Sequence, residues 1–226
     1  MRRAVIACEM LKDELTKAMK LAGSDLPIVW MDTKYHNNPS LLHEKLQEKI
    51  DGLEGYEEIL LTYGACGNAV INLKATTARL VIPKTEDCIS MILSRPGKTF
   101  IRLKNTYFLT RAWIDSDANL LKDFKRTVEK YGRKRAERLF KKMLHSYDKL
   151  MLIDTGAYNI GEYVAKAEEI AKLADMSLFV EKGSIWMLEK LISGPYEEFC
   201  VVPKGGVVTF DDLGFSSEKP AIIQKI

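Results

Sequence analysis

The chain has 226 residues, 46% of them hydrophobic and 29% charged, with a formal net charge of +3 and a pI near 8.5. That balance is ordinary for a soluble globular protein and too mild to imply a nucleic-acid partner, which depends on clustered cations rather than on a small global excess. No apolar run approaches the roughly 20 residues of a membrane span, Ala4 to Ala7 is too short for a signal-peptide core, and four cysteines are too sparse for a disulfide framework. A cytoplasmic protein with free thiols is therefore expected.

Arg3 to Ala7 (RAVIA) reads as a first strand that leaves through Cys8, Glu9 and Met10. Leu11, Leu15, Ala18, Met19 and Ala22 then recur at helical spacing, and Gly23 suits the carboxyl cap. Pro27 to Met31 is a second strand, followed by the polar loop Asp32 to His36 and by Asn38, which can cap a helix opening on Pro39. Leu41, Leu42, Leu46 and Ile50 give that helix one apolar face. The stretch from Glu58 to Asn68 (EILLTYGACGN) has a short apolar run that ends in Tyr63, Gly64, Cys66 and Gly67. A buried parallel strand that delivers a site at its carboxyl end has this pattern. A short helix is expected from Asn68 to Leu73. A fourth strand, Arg79 to Ile82, runs through Pro83 into Thr85, Glu86, Asp87 and Cys88, with a helix continuing from Ile89 to Leu93.

Thr99 to Leu103 reads as a strand, whereas the aromatic segment Tyr107 to Trp113 fits no single element. Two helices follow, from about Ala118 to Tyr131 and from Arg133 to Ser146. Between Lys122 and Lys142 they carry ten Lys or Arg against three Asp or Glu, which is more often a solvated helical face than a partner surface. Lys149 to Ile153 is a strand exiting into Asp154, Thr155 and Gly156, and Asn159 with Glu162 reads as a helix start. Met176 to Val180 and Phe199 to Val202 are the last two strands. The second of these is followed by Pro203 and Lys204, as the fourth strand is by Pro83 and Lys84, a recurrence that hints at internal duplication. The expected fold is α/β, with parallel Rossmann-like sheets and flanking helices in two similar lobes. The expected lobes are 1–104, bearing the strand-end cysteines, and 105–226, opening with the helical segment.

Cys8, Cys66 and Cys88 each follow a different strand of the first lobe. In a parallel sheet all carboxyl ends share one edge, so three thiols far apart in sequence can meet in one crevice. Three thiolates suit a tetrahedral zinc or an iron–sulfur cluster with one position open, with His36 or Glu9 as a fourth ligand. Two other readings stand beside this one: plain burial, which fits Cys200 between Phe199 and Val201, and a catalytic thiol. The latter is a metal-free, racemase-like enzyme in which Cys66 acts against Glu181 or Asp154. Gly64 and Gly67, with Asn68, can cradle a bound small molecule or serve a tight turn, and Asp154 and Thr155 can line the same crevice. A non-enzymatic interaction protein using the basic helices is a third class.

ACE at Ala7 to Glu9, YGACGN at Tyr63 to Asn68, LVIPKTEDC at Leu80 to Cys88, TYFLTRAW at Thr106 to Trp113 and VVPKG at Val201 to Gly205 together resemble the uncharacterised domain-of-unknown-function family 1638. The likeness runs from Ala4 to about Phe210. The family has no established activity. Its occurrence in anaerobic bacteria and methanogens beside corrinoid-dependent methyltransferases implies one-carbon metabolism, with a corrinoid as cofactor and a corrinoid or methyltransferase protein as partner.

Overall fold

The computed structural model describes residues 1–98 and 100–215. Its chain divides into two compact units, one made of Met1–Phe100 with residues 185–215, the other of Ile101–Ser184.

The first unit is built on a five-stranded sheet of order β2-β1-β3-β4-β8, with β1 at Arg3–Cys8, β2 at Ile28–Met31, β3 at Glu58–Leu61, β4 at Arg79–Pro83 and β8 at Phe199–Val202. β1 to β4 are mutually parallel, in a register that sets Val5 beside both Ile28 and Leu60, and Leu60 beside Val81. Central parallel strands are covered on both faces. Accordingly Val5, Ile6, Ile59, Leu60, Leu61, Leu80, Val81 and Ile82 are fully buried, each stabilising the fold by roughly 1.5–3 kcal/mol against exposure. Helix α1 (Lys12–Leu21) buries Leu15 and Ala18 and ends at Gly23, whose φ of +59° suits a residue without Cβ. Helix α2 (Pro39–Gly52) starts as expected, with the Asn38 side chain accepting from the Leu41 N–H at 3.1 Å, and buries Leu42, Leu46 and Ile50. The short α3 (Cys88–Leu93) is capped by Asp87, which accepts from the Ser90 N–H at 2.8 Å. Helix α8 (Trp186–Ser193) packs on α1 and α3, and its Trp186 indole donates to Ser94 O at 2.7 Å.

The amino-terminal end of this sheet is held by a buried carboxylate. Glu58 has no accessible surface; it receives Arg79 Nε at 2.6 Å and the Tyr196 hydroxyl at 2.9 Å, with Arg3 at 3.9 Å. Such a group is tolerated inside because its oxygens are paired.

Three expectations are revised here. β8 joins the first sheet antiparallel to β4, pairing Ile82 with Cys200 and Pro83 with Phe199. The two strand–Pro–Lys segments are thus neighbours of opposite direction in one sheet rather than copies in two lobes, and the chain after Ile185 completes the first unit instead of the second. Residues 68–73 form turns, not a helix: Cys66, Gly67, Asn68 and Asn72 lie at φ of 45°, 66°, 72° and 66°. Asn72 and Leu73 instead bond the main chain of Val208, with Asn72 N–H donating to Val208 O and Val208 N–H to Leu73 O, both at 2.9 Å. Residues 100–103 form no strand, and Thr99 lies outside the described residues.

The second unit has a three-stranded parallel sheet of order β5-β6-β7, with β5 at Thr106–Leu109, β6 at Lys149–Asp154 and β7 at Ser177–Lys182. The aromatic segment that fitted no element divides into β5 and the short helix α4 (Arg111–Asp115), where the Trp113 indole donates to the Tyr107 hydroxyl at 2.9 Å. Helices α5 (Leu120–Tyr131), α6 (Arg133–Met143) and α7 (Gly161–Ala174) complete the unit. Among the described residues, no helix is long and apolar enough to cross a membrane.

Candidate functional site

The first sheet changes direction between β1 and β3: from β1 the chain moves outward to β2, then returns to β3 and proceeds to β4. Loops leaving the two strands at such a reversal diverge, and the crevice between them at the carboxyl edge is where doubly wound sheets bind ligands. Cys8 ends β1, and Thr62 to Cys66 follow β3 directly. The two chains are tied across the reversal by the Cys8 N–H, which donates to the buried Thr62 hydroxyl at 3.0 Å.

Tyr63 is the hub. Only 2% exposed, its phenol donates a hydrogen bond to the Cys8 sulfur, and it interacts electrostatically with Cys8, Cys66 and Cys88 alike. Burial, and then these thiols, push its pKa well above the usual tyrosine range. Burial pushes the Cys8 thiol up to about 11, against the Tyr63 hydrogen bond. Cys66 is driven up by burial, then by Asp87 and Cys8, while the N–H groups of Gly64 and Cys88 pull the other way. Cys8, Cys66 and Cys88 lie along the same carboxyl edge, as the parallel order of β1, β3 and β4 requires. Cys8 is buried, and Cys66 and Cys88 are half-buried. Among the described residues no three His, Cys, Asp or Glu side chains stand ready to enclose an ion.

The loop after β4 closes against the loop after β3. Ala65 N–H donates to Thr85 O and Cys66 N–H to Glu86 O, both at 2.8 Å. A Cβ on Gly64 would meet Thr85 O at 2.3 Å. Gly64 thus makes room for main chain, which is the turn role rather than the cradle. Gly67 likewise follows from its φ of +66° and from Pro39, which a Cβ would approach to 2.9 Å. Gly67 and Asn68 also line a groove of about 320 Å³ with Pro39, Ser40, His43, Ile71 and Asn72. There His43 Nδ1–H donates to Ala69 O at 2.9 Å, because a carbonyl can only accept.

His36, one of the two fourth-ligand candidates, reaches the surface beside Asp87. Burial of part of its ring lowers its pKa against the pull of that carboxylate. Glu9, the other candidate, adds its charge to the field at Cys8. Cys200 is buried in β8, as the packing reading expects.

Asp154 and Thr155 belong to the second unit, where both side chains shape their own turn. Asp154 Oδ1 accepts from the Gly156 N–H at 2.9 Å, and Thr155 Oγ1 from the Ala157 N–H at 3.4 Å.

Four residues at the first sheet's carboxyl edge escaped the sequence-based choice. Tyr63 and Asp87 are in the quoted motifs but look like packing and capping residues. Thr85 and Glu198 each keep one buried side-chain oxygen without a hydrogen-bond partner among the described residues, Thr85 Oγ1 and Glu198 Oε2. Glu198 reaches this edge only because β8 runs antiparallel beside β4, which no local pattern announces.

The fold is α/β with mostly parallel sheets, and its first sheet carries cysteines at its carboxyl edge, beside a strand-order reversal. The chain matches the model of the family described as protein of unknown function, DUF1638, over residues 30–192, and it belongs to that family. Cys66 and Cys88 fall inside the matched span, Cys8 and Cys200 outside it. No curated protein and no solved structure matched the chain.

Proposed function

We propose that the carboxyl edge of the first sheet is a soft-metal site, with Cys8, Cys66 and Cys88 holding a zinc ion or an iron–sulfur cluster that leaves one position for a small ligand. The observation that supports this reading is the placement of all three thiols at the carboxyl edge of parallel strands, Cys8 at the end of β1, Cys66 after β3 and Cys88 after β4, within electrostatic reach of Tyr63. Burial keeps the Cys8 and Cys66 sulfurs protonated, helped at Cys66 by Asp87 and Cys8. A bound cation reverses that balance, because thiolate ligands lose their protons to it. When bound, the metal supplies Lewis acidity or redox capacity. The chain's own part is to bury the thiols, aim the phenol at Cys8 and hold the β3 and β4 loops together. The metal-free reading fares worse, since a nucleophilic thiol requires its pKa lowered rather than raised. A corrinoid or methyltransferase partner belongs to the proposal through the motif resemblance alone.

Anaerobic purification with metal analysis and a visible spectrum tests the site. Absorbance near the thiolate-to-iron region identifies a cluster, and stoichiometric colourless metal identifies zinc. Cys66→Ser and Cys88→Ser should each lower the loading at least tenfold, with Cys200→Ser leaving it unchanged. Protein that stays metal-free under those conditions ends the proposal.

A further inference from the structure

The metal proposal makes no use of the basic block of the second unit. α5 and α6 pack on each other through Phe124 and Phe140, edge to face at 5.2 Å between ring centres. α6 turns Ala136, Phe140 and the following Leu144 inward. On the outer side Arg135, Leu139 and Met143 follow one another at four-residue spacing, which lines them along one stripe. Leu139 and Met143 are 44% and 45% exposed.

Cations surround this stripe. Some are engaged within the unit: Lys122 with Asp117 at 2.9 Å, Arg126 with Asp123 at 2.7 Å and Arg133 with Glu137 at 2.9 Å. Lys130 and Arg135 lie over the Tyr131 ring at 5.1 and 5.2 Å. Lys134, Arg138, Lys141 and Lys142 make no ion pair among the described residues, and all four are exposed.

We infer that the outer face of α6 docks an acidic protein surface whose Asp and Glu side chains surround an apolar patch. Charge complementarity selects an anionic partner, and the two half-exposed apolar side chains select among anionic partners. Protein interfaces place Met, Arg and aromatic groups at a core rimmed by polar groups, and matching charges steer and orient the encounter. Single-stranded nucleic acid calls for free aromatic faces on which bases stack, whereas the ring of Tyr131 is already covered by cations. A membrane-surface helix calls for its apolar face to be available to lipid, whereas α6 spends that face on the core and keeps two side chains outside.

The test compares two synthetic acidic helical peptides, one of Glu and Ala, the other identical but with two leucines four residues apart, alongside phosphatidylserine vesicles and duplex DNA. The leucine peptide should bind the full-length protein at least tenfold more tightly than its Glu and Ala counterpart, and more tightly than vesicles or DNA. Leu139→Ser with Met143→Ser should erase the difference between the peptides while leaving the weaker binding intact. Arg138→Glu with Lys142→Glu should weaken both peptides at least tenfold at low salt, with circular dichroism unchanged because all four positions face solvent. Equal affinity for the two peptides, or tighter binding of vesicles or DNA, overturns the inference.

Discussion

Both sheets run parallel strands into polar loops, apart from β8 of the first, yet their carboxyl edges are built differently. In the first, strand order reverses between β1 and β3, and the loops at the reversal carry thiols and a buried phenol. In the second, order advances steadily from β5 to β7, so no reversal parts the loops, and Asp154 and Thr155 spend their oxygens on their own turn. A polar strand-end motif is thus not enough to make a site. What matters is whether topology leaves an opening beside it.

Glycine substitution gives the largest expected contrast. Gly64→Ala forces a Cβ to within 2.3 Å of Thr85 O and should cost about 3 kcal/mol, the upper end for overpacking. Gly156→Ala, in the loop after β6, puts a side chain at a left-handed φ of +66° and should cost about 1 kcal/mol. Urea denaturation measures both, and equal costs would remove the distinction between a loop pinned by main chain and one that merely turns.

Alkaline pH should separate the units next. Burial raises Cys200 to about 11 from 9.0, and Tyr107 to about 12 from 10.0. Both groups are held neutral by the fold, so their stabilisation is complete below the unfolded pKa and is lost as pH rises through the folded one. The first sheet should begin to weaken above pH 9 and the second above pH 10, by up to about 2 kcal/mol each. Cys200→Val should flatten part of the earlier decline, which Cys8 shares because burial also raises it to about 11, and Tyr107→Phe the later part, as followed by urea midpoints across the range.

Tyr63→Phe should cost about 1 kcal/mol by removing the hydrogen bond to Cys8, and it should also alter metal loading at the first edge. The smallest effect is expected for Asp154→Ala, which should cost up to about 1 kcal/mol through the lost turn bond and leave loading unchanged. If Asp154→Ala lowered metal content, the second edge would have to be counted as part of the site.

Periodicity and punctuation in the sequence were sufficient for β1 to β4, for α1 and α2 with their caps, and for the strand-end positions of Cys8, Cys66 and Cys88. These features are local, depending on apolar runs, Asn38 before Pro39, and Gly23 after the last apolar position. The same local reasoning misread residues 68–73, where helix-compatible residues instead bond the main chain of Val208. It could not see that Glu58, in a strand otherwise apolar, is satisfied by Arg79 and Tyr196.

By itself, then, the chain's pattern determined a parallel α/β protein with thiols at one sheet edge, because burial on both faces and strand-end placement are written residue by residue. Only the tertiary structure decided that β8 returns antiparallel to β4, that Tyr63 is buried beside Cys8, and that Gly64 yields its space to Thr85. Each of those outcomes depends on contacts between segments distant in sequence, and such contacts are settled by packing rather than by local preference.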